Sequence, residues 1–340
     1  METENKKENL KKPVSELRFD LVSKNWVLIA TGRARRPETF ATQQREKHET
    51  LETECFFCNL GTQERPVLEY KNENGDWEVT VVPNKFPAFS CSGNLHERVD
   101  GPYSLMDGVG FHEVVITRDH KKSLAELTAP QIKKVIDAYQ ERYLDLANEK
   151  FVNYIAIFHN HGREAGASVA HPHSQIIAMP LIDPDLQQSL NGSRIFFENQ
   201  KECVHCKMMN WDIADKQRII FINEKFVVLA PFASRVAFEV RIYPREHHAY
   251  FERIKEDEKI LLAEAFREAL SRIFKGMGDP AYNFFLHTAP SDGKDYNHYH
   301  WHFEILPKTS TWAGFELGTG IEISTIQPEE AAKYLREIKN

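Results

Sequence analysis

The sequence predicts an α+β fold built from two similar halves, each a mainly antiparallel sheet with an amphipathic helix laid on it. Three observations carry this expectation. A Cys-x-x-Cys pair, strand-like runs, a helical segment, another strand and an H-x-H strand follow one another twice, in the same order. Runs such as "EVVIT" and "EVRIY" alternate and are rich in β-branched residues, as strands with one buried face are. Between the strands of each half lies a longer segment whose apolar residues recur at helical spacing.

Taken in order, the first twelve residues, "METENKKENLKK", are charged and lack an apolar core. They are expected to form a disordered tail, and they do not read as a secretory signal. The first half, residues 13–190, then shows Cys55 and Cys58, "WEVTVVPNKFPAFS" and "GFHEVVITRDH". Its helix opens with Thr128, Pro130 and Gln131, a capping-box arrangement with an early proline. Ile132, Val135, Ile136, Tyr139 and Tyr143 form the apolar face. "YIAIF" follows, then a glycine-containing loop, then "HPHSQIIAMP". The second half, residues 191–340, is expected to join through the polar stretch Asn191–Lys201. It repeats the order with Cys203 and Cys206, "KFVVLAP", "EVRIYPREHH", a helix bearing Ile260, Leu261, Ala265, Leu270 and Ile273, "NFFLH" and "HYHWHFEILP".

Composition narrows the function classes. With 340 residues, 41% of them apolar, the chain can bury an ample core. A net charge of −7 gives no general attraction to nucleic acid. No run of 18 apolar residues occurs, so no membrane-spanning helix is expected, and a cytoplasmic setting is the default.

Four of the five cysteines sit in the two Cys-x-x-Cys pairs. In a reducing compartment such pairs are metal clamps or redox centres. A redox centre needs a βαβ context that neither pair has, which favours metal. Cys91, the fifth, is expected to be a small buried side chain. Each pair is followed by a histidine just past a strand, His120 in "TRDH" and His247 in "PREH", and then by the first histidine of an H-x-H, His171 and His300. Cys55, Cys58, His120 and His171 thus form one candidate set, and Cys203, Cys206, His247 and His300 the other. Two thiolates with two imidazoles suit tetrahedral zinc, two ions per chain, in closed structural sites. In the second set, His248 competes with His247, and His298 or His302 with His300.

His173 is the candidate nucleophile. A neutral imidazole attacks phosphorus well, and a phosphoryl-imidazole is reactive enough to turn over. Pro172 stiffens the approach, Gln175 continues the strand face, and the backbone N–H groups around Gly162, Gly166 and Ser168 are placed to cradle phosphate oxygens. The alternative reading of His173 is a third metal ligand or a core histidine.

The residues "GRARRP" (Gly32–Pro37), "VVPNKFPA", "FHNHGREAGASVAHPHSQ", "HWHF" and "GFELGTG" together resemble the galactose-1-phosphate uridylyltransferase family of the histidine-triad superfamily, over nearly the whole chain. The resemblance implies duplicated histidine-triad units with antiparallel half-barrels, usually in a homodimer. It implies a ping-pong reaction: UDP-glucose leaves UMP on His173 and releases glucose 1-phosphate, and galactose 1-phosphate collects the UMP. By the same resemblance Gln175 binds phosphoryl oxygens, Asn160 and Ser168 contact phosphate or sugar, and Asn84 contacts the nucleoside. Arg33 and Arg36 match family arginines near the phosphates or the dimer partner. Apart from the resemblance, His287 and Glu316 are candidates to reach the hexose, with ordinary packing or surface roles as the equal alternative.

Two departures qualify this picture. The second Cys-x-x-Cys resembles the two-zinc branch that includes plant-type ADP-glucose phosphorylases, which makes an ADP-hexose phosphorylase the second reading. Thr311-Trp312 stands where the uridylyltransferases place a lysine before an aromatic. A histidine-triad hydrolase or nucleotide-binding protein is the third reading, and Gln175 at the place of the third triad histidine argues against it. In the second copy, Glu304 stands two residues after His302, so that copy is read as a scaffold. The sequence leaves open uracil against adenine, and which acceptor is used.

Overall fold

The structure is a computed structural model that describes residues 14–31, 37–41, 45, 50–60 and 65–339. The expected tail at 1–12 and the two arginines Arg33 and Arg36 lie outside the described residues. A hairpin of β1 (Glu16–Phe19) and β2 (Trp26–Ile29) comes first, then the short helix α1 (Pro37–Ala41). The first half continues with β3 (Leu68–Lys71), β4 (Trp77–Pro83), a small hairpin of β5 (Arg98–Asp100) and β6 (Tyr103–Leu105), and β7 (Phe111–Thr117). Helix α2 (Ala129–Leu146), β8 (Tyr154–His161) and β9 (His173–Met179) complete it.

Helices α3 (Pro184–Gln200) and α4 (Val204–Asp215) carry the chain across to the second half. The polar stretch Asn191–Lys201 thus belongs largely to α3. There follow β10 (Ile219–Ile222), β11 (Phe226–Leu229), β12 (Val240–Pro244), helix α5 (Glu256–Met277), β13 (Tyr282–His287) and β14 (His302–Pro307). Helix α6 (Gly314–Thr319), β15 (Ile323–Ser324) and helix α7 (Pro328–Glu337) end the chain. β15 runs parallel to β2 and ties the C-terminal segment back to the opening hairpin.

Both halves share one open sheet of ten strands, in the order β10-β11-β12-β14-β13-β8-β9-β7-β4-β3. Read outward from the β13–β8 seam, each half contributes the same five strands in the same order, so the duplication is a palindrome in space. The seam is antiparallel, with Asn283 opposite Asn160 and Phe285 opposite Phe158. The Asn283 carboxamide nitrogen donates to Asn160 Oδ1 (2.7 Å) and to the Ala165 carbonyl (2.8 Å), so the second half holds a loop of the first.

Helices α2 and α5 cover one face of this sheet and make its main core. Gln131 Oε1 accepts from the Thr128 N–H and hydroxyl, each at 3.0 Å, which fixes the start of α2. Its residues Ile132, Val135, Ile136 and Tyr139 then bury themselves against Ile155, Ile157, Ile176 and Ala178 of the sheet. In the second half Leu262, Phe266 and Leu270 of α5 do the same against Phe284, Phe303 and Ile305. Each such fully buried side chain stabilises by about 1.5–3 kcal/mol relative to exposure. Period-two alternation sends the remaining residues of the strands, His173 and Gln175 among them, to the opposite face. Cys91 corrects the expectation of burial: it is exposed, in the loop between β4 and β5, where no sheet or helix covers it.

Candidate active site and metal centres

The two predicted donor sets are each brought together in space. The ligand atoms of Cys55, Cys58, His120 and His171 lie within 4.8 Å of one another, and so do those of Cys203, Cys206, His247 and His300. In the first set, His171 Nδ1 is 3.6 Å from Cys55 Sγ, 3.5 Å from Cys58 Sγ and 3.2 Å from His120 Nδ1. Such spacings suit the edges of a tetrahedron with bonds of about 2.0–2.3 Å to a central ion.

The outer ring nitrogens add a second, independent fit. His120 Nε2 meets the Thr50 carbonyl (2.7 Å), His171 Nε2 the Thr117 carbonyl (2.7 Å), His247 Nε2 the Asn297 carbonyl (2.8 Å) and His300 Nε2 the Pro244 carbonyl (2.9 Å). A carbonyl only accepts, so all four rings carry their proton on Nε2 and turn the Nδ1 lone pair inward. Backbone-anchored imidazoles of this kind are what a metal ligand requires. Burial lowers the pKa of His171 to about 4, which keeps that ring neutral and available as a donor. His248 and His302, which compete in sequence, stand outside these sets.

His173 opens β9 and is buried. Its Nδ1 lies 2.8 Å from the carbonyl of His171, which makes Nδ1 the protonated nitrogen and leaves a lone pair on Nε2. Burial lowers its pKa, so the neutral form dominates near pH 7. Phe57, between the two cysteines, packs edge-on against the His173 ring at 5.0 Å and against His171 at 5.8 Å. The donor cluster and His173 are therefore one packed unit. Phe57 was not singled out from sequence, although its place inside Cys-x-x-Cys was the available signal.

Gln175 follows on the same face of β9, and its Oε1 is 2.8 Å from Nε2 of His112 on β7. His112 also meets the loop after β4: its Nδ1 accepts from the Ala88 N–H (3.1 Å), and the Asn84 N–H donates to its carbonyl (2.8 Å). Asn84 is thereby drawn to the same corner as Gln175. Asn160 sits near the end of β8, next to His159, which pairs with Ser174, the residue after His173. Ser168 is exposed in the loop Gly162–Ala170, which bends through Gly162 (φ 84°) and Gly166 (φ 88°). Asn160, Ser168, His171 and Pro172 line a cavity of about 670 Å³. Glu316 is placed differently. Its carboxylate accepts from the Ala313 N–H (3.0 Å) at the start of α6, and the flanking Trp312 and Gly320 line the larger cavity, about 1070 Å³, beside His302.

The second H-x-H repeats the geometry with altered chemistry. His302 Nδ1 donates to the His300 carbonyl (3.1 Å), as His173 does to that of His171. His205, within the second Cys-x-x-Cys, takes the place of Phe57, 5.1 Å from the His302 ring. Glu304 lies opposite Phe285, as Gln175 lies opposite Phe158. Burial opposes ionisation of Glu304, but Arg235 and Arg241 overcome it and hold its carboxyl well below the usual range. His287 Nε2 is 3.0 Å from Glu304, and Arg241 also pairs with Glu239 at 2.9 Å. β14, the counterpart of β9, thus carries Glu304 into a buried ion-pair network. His287 belongs to that network.

These features meet their match among known proteins. The N-terminal domain model of galactose-1-phosphate uridyl transferase matches residues 4–182, just over half of the chain. An ADP-glucose phosphorylase of Arabidopsis thaliana is 32% identical over 333 residues, spanning 95% of this chain and 93% of the relative. The chain belongs to the galactose-1-phosphate uridylyltransferase family. A galactose-1-phosphate uridylyltransferase of Thermotoga maritima is 29% identical over 332 residues, covering 95% and 98% of the two chains. Among solved structures, an Arabidopsis thaliana ADP-glucose phosphorylase with bound ADP-glucose superposes with a TM-score of 0.81 at 29% identity, over 96% of this chain and 100% of the other. A uridylyltransferase structure gives 0.74 at 26% identity, over 95% and 97%. Membership in the family places the chain among nucleotidyltransferase-type enzymes. Among the described residues no helix is long and apolar enough to cross a membrane.

Proposed function

We propose that the chain moves UMP from UDP-glucose to galactose 1-phosphate through a nucleotidyl-histidine at His173. The observation that carries this reading is the tautomer: with Nδ1–H held by the His171 carbonyl, Nε2 is the free nucleophilic nitrogen. Nε2 attacks the α-phosphorus, the bond from that phosphorus to the bridging oxygen breaks, and glucose 1-phosphate leaves with the electron pair. The Nδ1 proton stays in place, and the His171 carbonyl stabilises the positive charge the ring acquires. In the second half-reaction a phosphate oxygen of galactose 1-phosphate attacks the same phosphorus, and the P–N bond returns its pair to Nε2. Both leaving groups depart without a general acid, which suits a glutamine at position 175 in place of a proton-donating histidine. Gln175 binds the phosphoryl oxygens; Asn160 and Ser168 contact phosphate or sugar, Asn84 the nucleoside, and Glu316 the hexose.

Each Cys₂His₂ set, Cys55, Cys58, His120 and His171 in one and Cys203, Cys206, His247 and His300 in the other, would hold one zinc ion, two per chain. A zinc ion held by four protein ligands would supply a structural tie only, and His171, as one of those ligands, would brace His173. The two halves, 13–190 and 191–340, form one working unit in a cytoplasmic homodimer.

The second reading, phosphorolysis of ADP-glucose by the same histidine, is favoured by similarity to the Arabidopsis thaliana ADP-glucose phosphorylase. Incubation with UDP-glucose labelled in its uridylyl group separates the readings. Acid-labile, base-stable label on the wild-type protein, absent from His173→Ala, is the expected result. Label from ADP-glucose but not from UDP-glucose assigns the second reading, and label from neither overturns both.

A further inference from the structure

His112 lies at the junction of three elements and has a defined tautomer. The Ala88 N–H donates to Nδ1 at 3.1 Å, so Nδ1 carries the lone pair and the ring proton sits on Nε2. That proton points at Gln175 Oε1, 2.8 Å away. A carboxamide whose oxygen is engaged in this way must turn its NH₂ group to the other side. Gln175 shares a strand face with His173, two residues earlier on β9, and His112 stands on β7, where Ile116 pairs with His173 and Val114 with Gln175. The Asn84 carboxamide nitrogen is 3.1 Å from the same Nε2. Both are donors in this tautomer, so Asn84 keeps its hydrogens for another acceptor. Asn84 Oδ1 is already taken by the Phe86 N–H at 2.9 Å. The ring therefore fixes the hydrogen-bearing end of Gln175 as the one left to a ligand, and the Phe86 N–H does the same for Asn84. Half-buried and neutral, with its pKa lowered by burial, it does so without adding charge beside an anion.

We propose that His112 is a positioning residue for nucleotidyl transfer: its Nε2–H locks the Gln175 carboxamide so that the NH₂ group meets the phosphoryl oxygens during attack by His173. The inference rests on the reading of His173 as the nucleotidyl acceptor. His112 touches no reacting atom and acts through Gln175, so its effect exists only while Gln175 is present.

The test is single-turnover labelling of the holoenzyme with UDP-glucose and, separately, ADP-glucose, each labelled in the nucleotidyl group. Wild type is compared with His112→Phe, His112→Gln, Gln175→Ala and the double variant His112→Phe/Gln175→Ala. Loss of a donor aimed at developing phosphoryl charge costs about 100-fold or more, and loosening that donor is expected to cost about tenfold in the labelling rate. The half-saturating sugar nucleotide concentration should change by less than about twofold, because the ground state is held elsewhere. His112→Gln, whose side-chain NH₂ reaches the Nε2 position, should recover most of the rate. In the Gln175→Ala background the His112→Phe change should add less than about twofold, since coupled residues are not additive. A full tenfold loss in that background, or an unchanged rate in His112→Phe, overturns the positioning role. A failure of wild type to take label from either donor removes the His173 reading and this inference with it.

Discussion

Replacement of Gly162 by alanine tests how the approach loop is seated against the second half. Gly162 has φ 84° and ψ 155°, a region that is essentially reserved for glycine and costs other residues about 1–3 kcal/mol. A Cβ there would stand 2.8 Å from the Cβ of Ala281 and 3.2 Å from its Cα, just before β13. Overpacking of that kind adds about 1–3 kcal/mol, so Gly162→Ala is expected to lose about 2–6 kcal/mol in urea unfolding with metal in excess. Gly166→Ala is the control. Its φ is also positive, at 88°, but the nearest atom to a new Cβ is Asn160 Nδ2 at 3.9 Å. Only the left-handed backbone cost of about 1–2 kcal/mol remains there. Adding Ala281→Gly to Gly162→Ala removes the nearest atom and should return about 1 kcal/mol or more beyond the sum of the single changes. Labelling of His173 should fall in Gly162→Ala, because Ser168 and His171 follow on the displaced loop. Equal losses at the two glycines, or strict additivity in the double variant, would refute the packing argument.

Metal analysis of the purified chain should give close to two zinc per chain, and Cys203→Ser should lose about one of them. A wild-type content of one would show that a single donor set is loaded. His159 supplies a pH signature. Its Nδ1 meets Ser174 Oγ at 3.1 Å, its Nε2 is buried without a hydrogen-bond partner among the described residues, and burial, with His161 and His173 nearby, holds its pKa well below 6.5. The folded ring stays neutral while the unfolded chain takes a proton near pH 6.5, so this contribution is present above that pH and is lost as pH falls. One such group gives a slope of up to about 1.4 kcal/mol per pH unit below pH 6. Urea unfolding from pH 7 to pH 5 should show His159→Gln with a slope smaller by about one proton, and identical slopes would count against the assignment.

Much of the site was legible because donor chemistry announces itself by residue type. Cysteine pairs and H-x-H strands are rare, and their repetition in order singled out His120 and His247 before any geometry was known. His112 escaped because a lone histidine in "GFHEVVIT" follows the alternation of an ordinary half-buried strand. Only the pairing of β7 with β9 shows that it faces Gln175. The same limit applied to the sheet. Strand patterns show that two sets of strands exist, but the meeting of β8 with β13 depends on contacts more than a hundred residues apart along the chain. The polar run Asn191–Lys201 reads as a join because its charges hide a one-sided helix: Leu186, Leu190, Gly192 and Ser193 alone are buried along α3. In the second copy, Glu304 in place of the glutamine is what marks a scaffold in the sequence. The structure adds the arginines that neutralise it, which come from a loop and from β12, out of reach of any local motif.

The seam between β8 and β13 makes the two copies hostages of each other. Cut apart, each would bare a row of unpaired main-chain groups at what is now the centre of the molecule, an invitation to promiscuous strand addition. The second copy, with Glu304 where the first has Gln175, supplies the neighbouring ladder and the Asn283 clasp on which the first copy leans. Neither half is therefore free to be discarded, whatever its own side chains do.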